Sequence, residues 1–180
     1  VLFKSLTKGV IDSGANVINI GLSTTPMFYF AVAHFKFAGG VITTASHNLP
    51  KYNGFKFVRE KAIPVSGESG IKEIKNLVFK GKFKKIKQGE IMKKKILKEY
   101  IKFNLKKIDI KKIKHFRIVV DTANAVSGML VPEIFKKTNC KIYHLYSKLD
   151  GNFPNHFPDP HIKANLKGLQ REVLRKKADL

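Results

Sequence analysis

Ser46, His47 and Lys56 stand close together in the segment Gly40-Val41-Ile42-Thr43-Thr44-Ala45-Ser46-His47-Asn48-Leu49-Pro50-Lys51-Tyr52-Asn53-Gly54-Phe55-Lys56. A serine on a loop that follows a buried strand can be held rigid and exposed. That suits a nucleophile or a carrier of phosphate. A lysine ten residues on supplies a mobile cation for phosphate charge, and a proton donor if its pKa falls. Ser-His-Asn can equally be plain turn chemistry, with side chains bonded to local backbone. A serine-hydrolase arrangement fits poorly. No Gly-x-Ser-x-Gly elbow surrounds Ser46, and a histidine next in sequence rarely faces its neighbour.

The elements that must position this loop follow from periodicity and punctuation. Apolar positions 2, 3, 6, 10 and 11 predict a helix over Leu2 to Ile11, with Gly14 past its end. Val17 to Ile20 reads as a short buried strand. Thr25-Pro26 reads as a helix start that continues to Phe37 and is ended by Gly39-Gly40. Val41 to Thr44 and Phe55 to Val58 read as strands flanking the loop Ala45–Asn53. Helix, strand, helix, strand predicts an α/β sandwich with a largely parallel sheet, in which ligands gather at the carboxyl ends of strands.

Farther along, Ile63 to Gly70 reads as loop and Ile71 to Phe79 as helix. Gly81 and Gly89 bracket a basic connector, and Glu90 to Leu105 has the broad apolar stripe of a helix. A domain boundary is placed near Gly89, giving domains 1–89 and 90–180. The second half predicts a strand at Phe116–Asp121 and a helix at Val126–Lys137, in which Pro132 must sit near the first turn or kink it. A strand at Lys141–Tyr146, a loop at Asp150–Pro160 and a helix at Leu166–Lys177 follow. Ala178-Asp179-Leu180 opens a further strand. The overall expectation is two α/β sandwich domains with mixed, largely parallel sheets, both truncated.

Thr44-Ala45-Ser46-His47-Asn48 followed by Tyr52-Asn53-Gly54-Phe55-Lys56 resembles the active-site loop of the alpha-D-phosphohexomutase family. Gly21 through Phe30, Val119-Val120-Asp121, Pro132-Glu133 and Asp150-Gly151-Asn152-Phe153-Pro154-Asn155-His156 with Pro158-Asp159-Pro160 resemble its flanking text. The likeness spans nearly the whole chain and is weakest in the lysine-rich middle. It implies an enzyme that interconverts hexose 1-phosphate and hexose 6-phosphate, of mannose or glucose, through a phosphoserine and a bisphosphorylated sugar. By the same likeness Ser46 is the phosphoserine and, through its phosphate, a ligand of Mg²⁺. His47 lies beside the phosphate, and Lys56 is the general acid/base toward the sugar. Tyr52, Asn53 and Gly54 shape the loop.

The chain departs from the family at Leu49, where Pro is common, at Ala123 and Ala125, where Gly is usual, and at Phe157, where a second His is common. Alanine is strained wherever those positions demand positive φ. The family's Arg-containing N-terminal segment is not in the sequence. Its carboxylate metal loop is expected soon after Leu180, so this chain alone is expected to bind Mg²⁺ weakly and to be inactive. Two alternatives stand beside the mutase: an inactive truncated binding module of the same fold, and a basic nucleic-acid-binding domain.

The formal charge of +22 raises the nucleic-acid alternative, but 31 of the 35 basic residues are lysine. Arginine, the bidentate reader of phosphate and base edges, is scarce, and a solvated lysine surface is the plainer reading. The longest stretch without a charged residue, Ser13 to Phe35, is broken by Asn16, Asn19, Ser23, Thr24, Thr25 and Pro26, so no membrane span is expected. The single cysteine, Cys140, cannot form an internal disulfide and is expected to be a buried structural thiol. A cytoplasmic setting follows. His34, His115, His144 and His161 have no metal-ligand spacing and receive no role.

Overall fold

The computed structural model describes every residue except 82 and 84–86. Part of the expected basic connector between Gly81 and Gly89 therefore lies outside the described residues. The chain divides into two compact units, Val1–Thr44 with Asn53–Ile96, and Ala45–Tyr52 with Leu97–Leu180. Gly89, where the sequence places the boundary, lies inside the first.

In the first unit, helix α1 (Leu2–Asp12) is followed by Gly14 at φ +85, and Gly14 N–H donates to the Ile11 carbonyl at 2.9 Å. This is the left-handed exit that glycine makes cheaply. Strand β1 (Val17–Asn19) comes next. Helix α2 (Thr25–His34) is capped by Thr24, whose hydroxyl accepts from Met27 N–H at 3.4 Å, one residue earlier than expected. Apolar on nearly every side, α2 buries Met27, Phe28, Phe30, Ala31 and Val32.

The helix ends at Phe35, and Gly39 and Gly40 lie in strand β2 (Gly39–Thr43) instead of ending α2. The reason is close approach. A Cβ on Gly40 would stand 2.6 Å from the Phe28 ring and 2.8 Å from Val32, and one on Gly39 would stand 2.8 Å from the Val58 carbonyl. Strand β3 (Phe55–Arg59) pairs antiparallel with β2, with Thr43 opposite Phe55. Phe28, Val32 and Val58 form the centre of the packing, joined by Ile20, Tyr29, Phe37, Ile42 and Ala62. Each fully buried side chain of this kind contributes roughly 1.5–3 kcal/mol.

Helix α3 (Lys72–Lys80) ends on Gly81 at φ +60. The segment after Gly89 is a correction. Ile91–Lys93 forms strand β4, parallel to β1, and only Leu97–Leu105 is helix, α4. The apolar spacing that read as one long helix is interrupted because β1 has an edge to fill. Asn16 Oδ1 accepts from Glu90 N–H at 2.9 Å and Val17 N–H donates to Glu90 at 2.8 Å, which sets the register. Gly89 enters so close to Ala15 that a Cβ would stand 2.1 Å from its carbonyl oxygen.

In the second unit, α4 buries Ile101 and Leu105, and β5 (Arg117–Asp121) pairs parallel with β6 (Lys141–Leu145). Between them, a 3₁₀ turn at Val126–Met129 leads into α5 (Leu130–Phe135), shorter than the expected helix, with Pro132 in its first turn, the first of the two placements anticipated. Helix α6 (Lys167–Lys176) precedes Ala178–Leu180. Val119 N–H donates to the Leu180 carbonyl at 2.9 Å and Asp179 N–H to Arg117 at 2.8 Å, so these last residues begin to pair with β5. Among the described residues three strand pairs, two parallel and one antiparallel, make the α/β class mixed. Cys140 is half-buried rather than buried. Among the described residues no helix is long and apolar enough to cross a membrane.

Candidate active site

Lys56 belongs to the first unit. In the register of the hairpin it lies opposite Ile42, and by the alternation of a strand it shares a face with Val58, the buried residue two positions on. Lys56 is one pleat closer to the loop, and its side chain is exposed and makes no salt bridge among the described residues. Thr44 N–H donates to the Gly54 carbonyl at 2.9 Å. That bond extends the ladder by one rung and closes the neck of the loop between Thr44 and Gly54, the shaping role expected of Gly54.

Ser46 and His47 belong to the second unit, with the rest of Ala45–Tyr52. Two consecutive turns build this loop. The Ala45 carbonyl accepts from both the backbone N–H and the side-chain amide of Asn48, at 3.1 and 2.9 Å, and Tyr52 N–H donates to Leu49 at 2.9 Å. Leu49, standing where the family commonly has Pro, thus contributes its carbonyl to the second turn. Ser46 is exposed at the tip of the first turn with φ +56. A left-handed backbone at a residue other than glycine costs roughly 1–2 kcal/mol. The surrounding hydrogen bonds hold the serine there.

The imidazole of His47 reaches across the second unit. Its Nδ1 lies 2.6 Å from the carbonyl oxygen of Pro158. A carbonyl only accepts, so Nδ1 carries the proton and donates. Pro158 sits in the Asp150–Pro160 loop, which is tied to the carboxyl end of β5. His156 Nε2 lies 2.9 Å from Asp121 Oδ2, and His156 Nδ1 lies 2.9 Å from the Phe157 carbonyl. The Tyr146 ring meets His156 edge-on with centroids 5.3 Å apart. Asn155 Nδ2 donates to Asn124 Oδ1 at 2.8 Å, and Asn124 Nδ2 donates to Lys148 at 2.7 Å. Asn165 Nδ2 donates to the carbonyls of Phe157 and Asp159, at 3.0 and 2.8 Å.

Residues 121–125 turn sharply to meet this loop. Asp121 Oδ1 accepts from Ala123 N–H at 2.8 Å, and Ala123 and Asn124 adopt φ +47 and +57. The strain anticipated for alanine in place of glycine is therefore present at Ala123 and absent at Ala125, whose φ is −86. His144 is not an isolated histidine. Its Nε2 lies 2.9 Å from the hydroxyl of buried Thr122.

The two histidines near Asp121 respond oppositely to acid. For His156, burial opposes the charge, but the Phe157 carbonyl and the Asp121 carboxylate outweigh it and raise its pKa. For His144, burial dominates over the attraction of Asp121 and lowers its pKa. The ordinary value is about 6.5 for both. Stability from His156 is complete below that value and is lost as pH rises through its raised folded value. Stability from His144 is present above it and is lost as pH falls through its lowered folded value. Their joint contribution peaks near pH 6.5 and declines on both sides. Urea midpoints measured across this range are expected to show the alkaline decline in the parent and not in His156→Gln, with the acid decline kept in both. An alkaline slope unchanged in the variant would contradict the assignment.

Among the described residues no group of three or more His, Cys, Asp or Glu side chains could hold a metal ion. The Ser46 hydroxyl offers one neutral oxygen. Mg²⁺ takes six oxygen ligands and favours carboxylates and phosphates, so these residues alone do not fit a tight Mg²⁺ site. Sequence reasoning missed Asp121, His156 and Asn165 as partners of the loop. The signal was present, because Asp121 ends a strand and His156 lies in the quoted Asp-Gly-Asn-Phe-Pro-Asn-His run, but nothing local joins them to Ser46.

Comparison with known proteins agrees with this architecture. Residues 1–85 match the phosphoglucomutase/phosphomannomutase alpha/beta/alpha domain I, and residues 98–180 match domain II of the same family. A phosphomannomutase of Vibrio cholerae is 35% identical over 99% of the chain, and a phosphomannomutase/phosphoglucomutase of Pseudomonas aeruginosa is 36% identical over 99%. The chain spans 40% and 38% of the lengths of these two relatives. A crystal structure of a phosphoglucomutase/phosphomannomutase family protein from Burkholderia thailandensis superposes with a TM-score of 0.87 at 30% identity, covering 98% of this chain and 39% of that one.

Proposed function

Because the chain belongs to the phosphoglucomutase/phosphomannomutase family, we propose that it forms part of an isomerase that moves a phosphoryl group between the 1- and 6-positions of a hexose by way of Ser46. In the first transfer a sugar hydroxyl oxygen attacks the phosphorus of phosphoserine 46. The bond from phosphorus to the serine oxygen breaks, Lys56 takes the hydroxyl proton, and the departing serine oxygen picks up a proton from water. The resulting sugar bisphosphate turns over in the site. Its other phosphate returns to the serine oxygen, whose proton goes back to water, and Lys56 gives its proton to the freed sugar oxygen. Phosphoryl transfer of this kind is mostly a matter of alignment and charge stabilisation.

The observation that carries the reading is the conformation of Ser46: exposed at a turn tip, left-handed at φ +56, and next to a histidine tethered through Nδ1. A strained serine held this way is preorganised for in-line transfer. With Nδ1 of His47 donating to Pro158, Nε2 can donate to a phosphate oxygen only when the ring is doubly protonated. In this reading the substrate is a mannose or glucose phosphate, and the protein acts in the cytoplasm.

The reading also includes Mg²⁺, bound to an oxygen of the Ser46 phosphate, with carboxylate ligands from sequence beyond Leu180. When bound, the metal would neutralise phosphate charge. Since the described residues alone do not fit it, titration of the unphosphorylated chain with Mg²⁺ is expected to give no saturation below the millimolar range. Saturation at micromolar Mg²⁺ would contradict this.

The functional test is a mutase assay of the full-length protein with glucose 1-phosphate and mannose 1-phosphate. The 6-phosphates are expected, with turnover that depends on priming by the hexose 1,6-bisphosphate. Absence of product after priming, or product without any need for it, would refute the mechanism.

A further inference from the structure

We propose that the Asp150–Pro160 segment is the dock that fixes the Ser46 loop, and that Asp121, His156 and Asn165 are its positioning residues. The inference rests on the reading of Ser46 as the phosphate carrier, and gives a physical task to a segment that the phosphotransfer scheme leaves without one.

The geometry is a short relay within the second unit. Ser46 is bonded directly to His47, and His47 Nδ1 donates to the Pro158 carbonyl at 2.6 Å across 111 positions of sequence. That carbonyl is useful only if it cannot wander. On one side, His156 spans from Asp121 Oδ2 to the Phe157 carbonyl, at 2.9 Å each, which pins the backbone just before Pro158 to the carboxyl end of β5. On both sides, the Asn165 amide bonds the carbonyls of Phe157 and Asp159, bracketing Pro158. Asp159 N–H closes on the Phe157 carbonyl at 2.8 Å, which folds the chain tightly about the proline. The side chains of Asp121 and His156 are 9% and 16% exposed, so water competes little for their bond.

An exposed loop without this dock would sample many conformations. Holding His47 in one ring orientation restrains the adjoining serine as well, and small misplacements of a reacting group cost large factors in rate. None of the three positioning residues needs to touch sugar or phosphate.

The test uses the full-length protein labelled with ¹⁵N-histidine at a single pH near 7, together with transfer of phosphate from hexose 1,6-bisphosphate to Ser46. In the parent, His47 is expected as the Nδ1–H tautomer. In His156→Ala and in Asn165→Ala its signals move toward the Nε2–H tautomer, and the transfer rate falls roughly tenfold to a hundredfold with the KM for the bisphosphate unchanged. His156→Gln, which keeps a donor toward Asp121, recovers most of the rate. Amide-exchange protection at Val119 and Val120 verifies that each variant retains β5. Finding His47 as the Nε2–H tautomer in the parent overturns the dock without recourse to any variant. Folded variants with parental tautomer and rate overturn it equally. A His47 signal that responds as expected, in a chain that never accepts phosphate, keeps the dock and refutes the carrier reading.

Discussion

Replacing Ser46 by alanine is expected to lower mutase turnover of the full-length protein by on the order of 10⁴ or more, because the atom that carries the phosphoryl group is gone. The fold should not suffer. Ser46 is exposed, and the bonds of Asn48 to the Ala45 carbonyl, which help to close the turn around it, are kept in the variant. Unfolding free energy is expected to change by no more than about 0.5 kcal/mol. Ser46→Gly separates the two roles of the position more sharply. Glycine relieves a φ of +56, which costs L-residues roughly 1–2 kcal/mol, against a loss of about 0.5–1 kcal/mol from the greater freedom of the unfolded chain. The glycine variant should therefore be as inactive as the alanine variant and equally or slightly more stable. Near-normal turnover in either would remove Ser46 from the chemistry.

Lys56→Met keeps the length of the apolar stem and removes the ammonium group. General acid/base groups contribute typically 10²- to 10⁴-fold, and a loss of that size in kcat is expected. The side chain is exposed at the loop end of β3 and makes no salt bridge among the described residues, so stability should be unaffected. Lys56→Arg provides the discriminating comparison. It keeps the positive charge but cannot give up a proton near neutral pH, so it should restore KM without restoring kcat. If Arg restores kcat as well, Lys56 supplies charge alone. If Met leaves the rate unchanged, Lys56 has no part in the reaction.

The sequence was most legible where a short signal decides a local conformation. Thr25-Pro26 announced α2 to within one residue, Pro132 fell in the first turn of α5, and β-branched runs marked β2 and β5. It was least legible where a distant partner decides. Ile91–Lys93 carries a helix-compatible pattern and becomes a strand because β1 offers it an edge, and Gly39-Gly40 becomes strand because Phe28, Val32 and Val58 crowd it. The candidate site divides in the same way. Ser46, His47 and Lys56 could be named from one segment, because their types and spacing are local. The partners Pro158, His156, Asp121 and Asn165 could not, since no periodicity connects residue 47 with residue 158. Ala123 lies between the two cases. Its residue type posed the question of strain, and only its φ of +47 answered it.

The central claim is that the Ser46 oxygen receives and returns phosphate. The most direct measurement is to incubate the full-length protein with hexose 1,6-bisphosphate and locate the phosphate by peptide mass spectrometry, then chase with hexose 6-phosphate. The account predicts one phosphoryl group, on Ser46, that leaves on the chase. A stable phosphate elsewhere in the chain, or none on Ser46 while the bisphosphate is consumed, would contradict it.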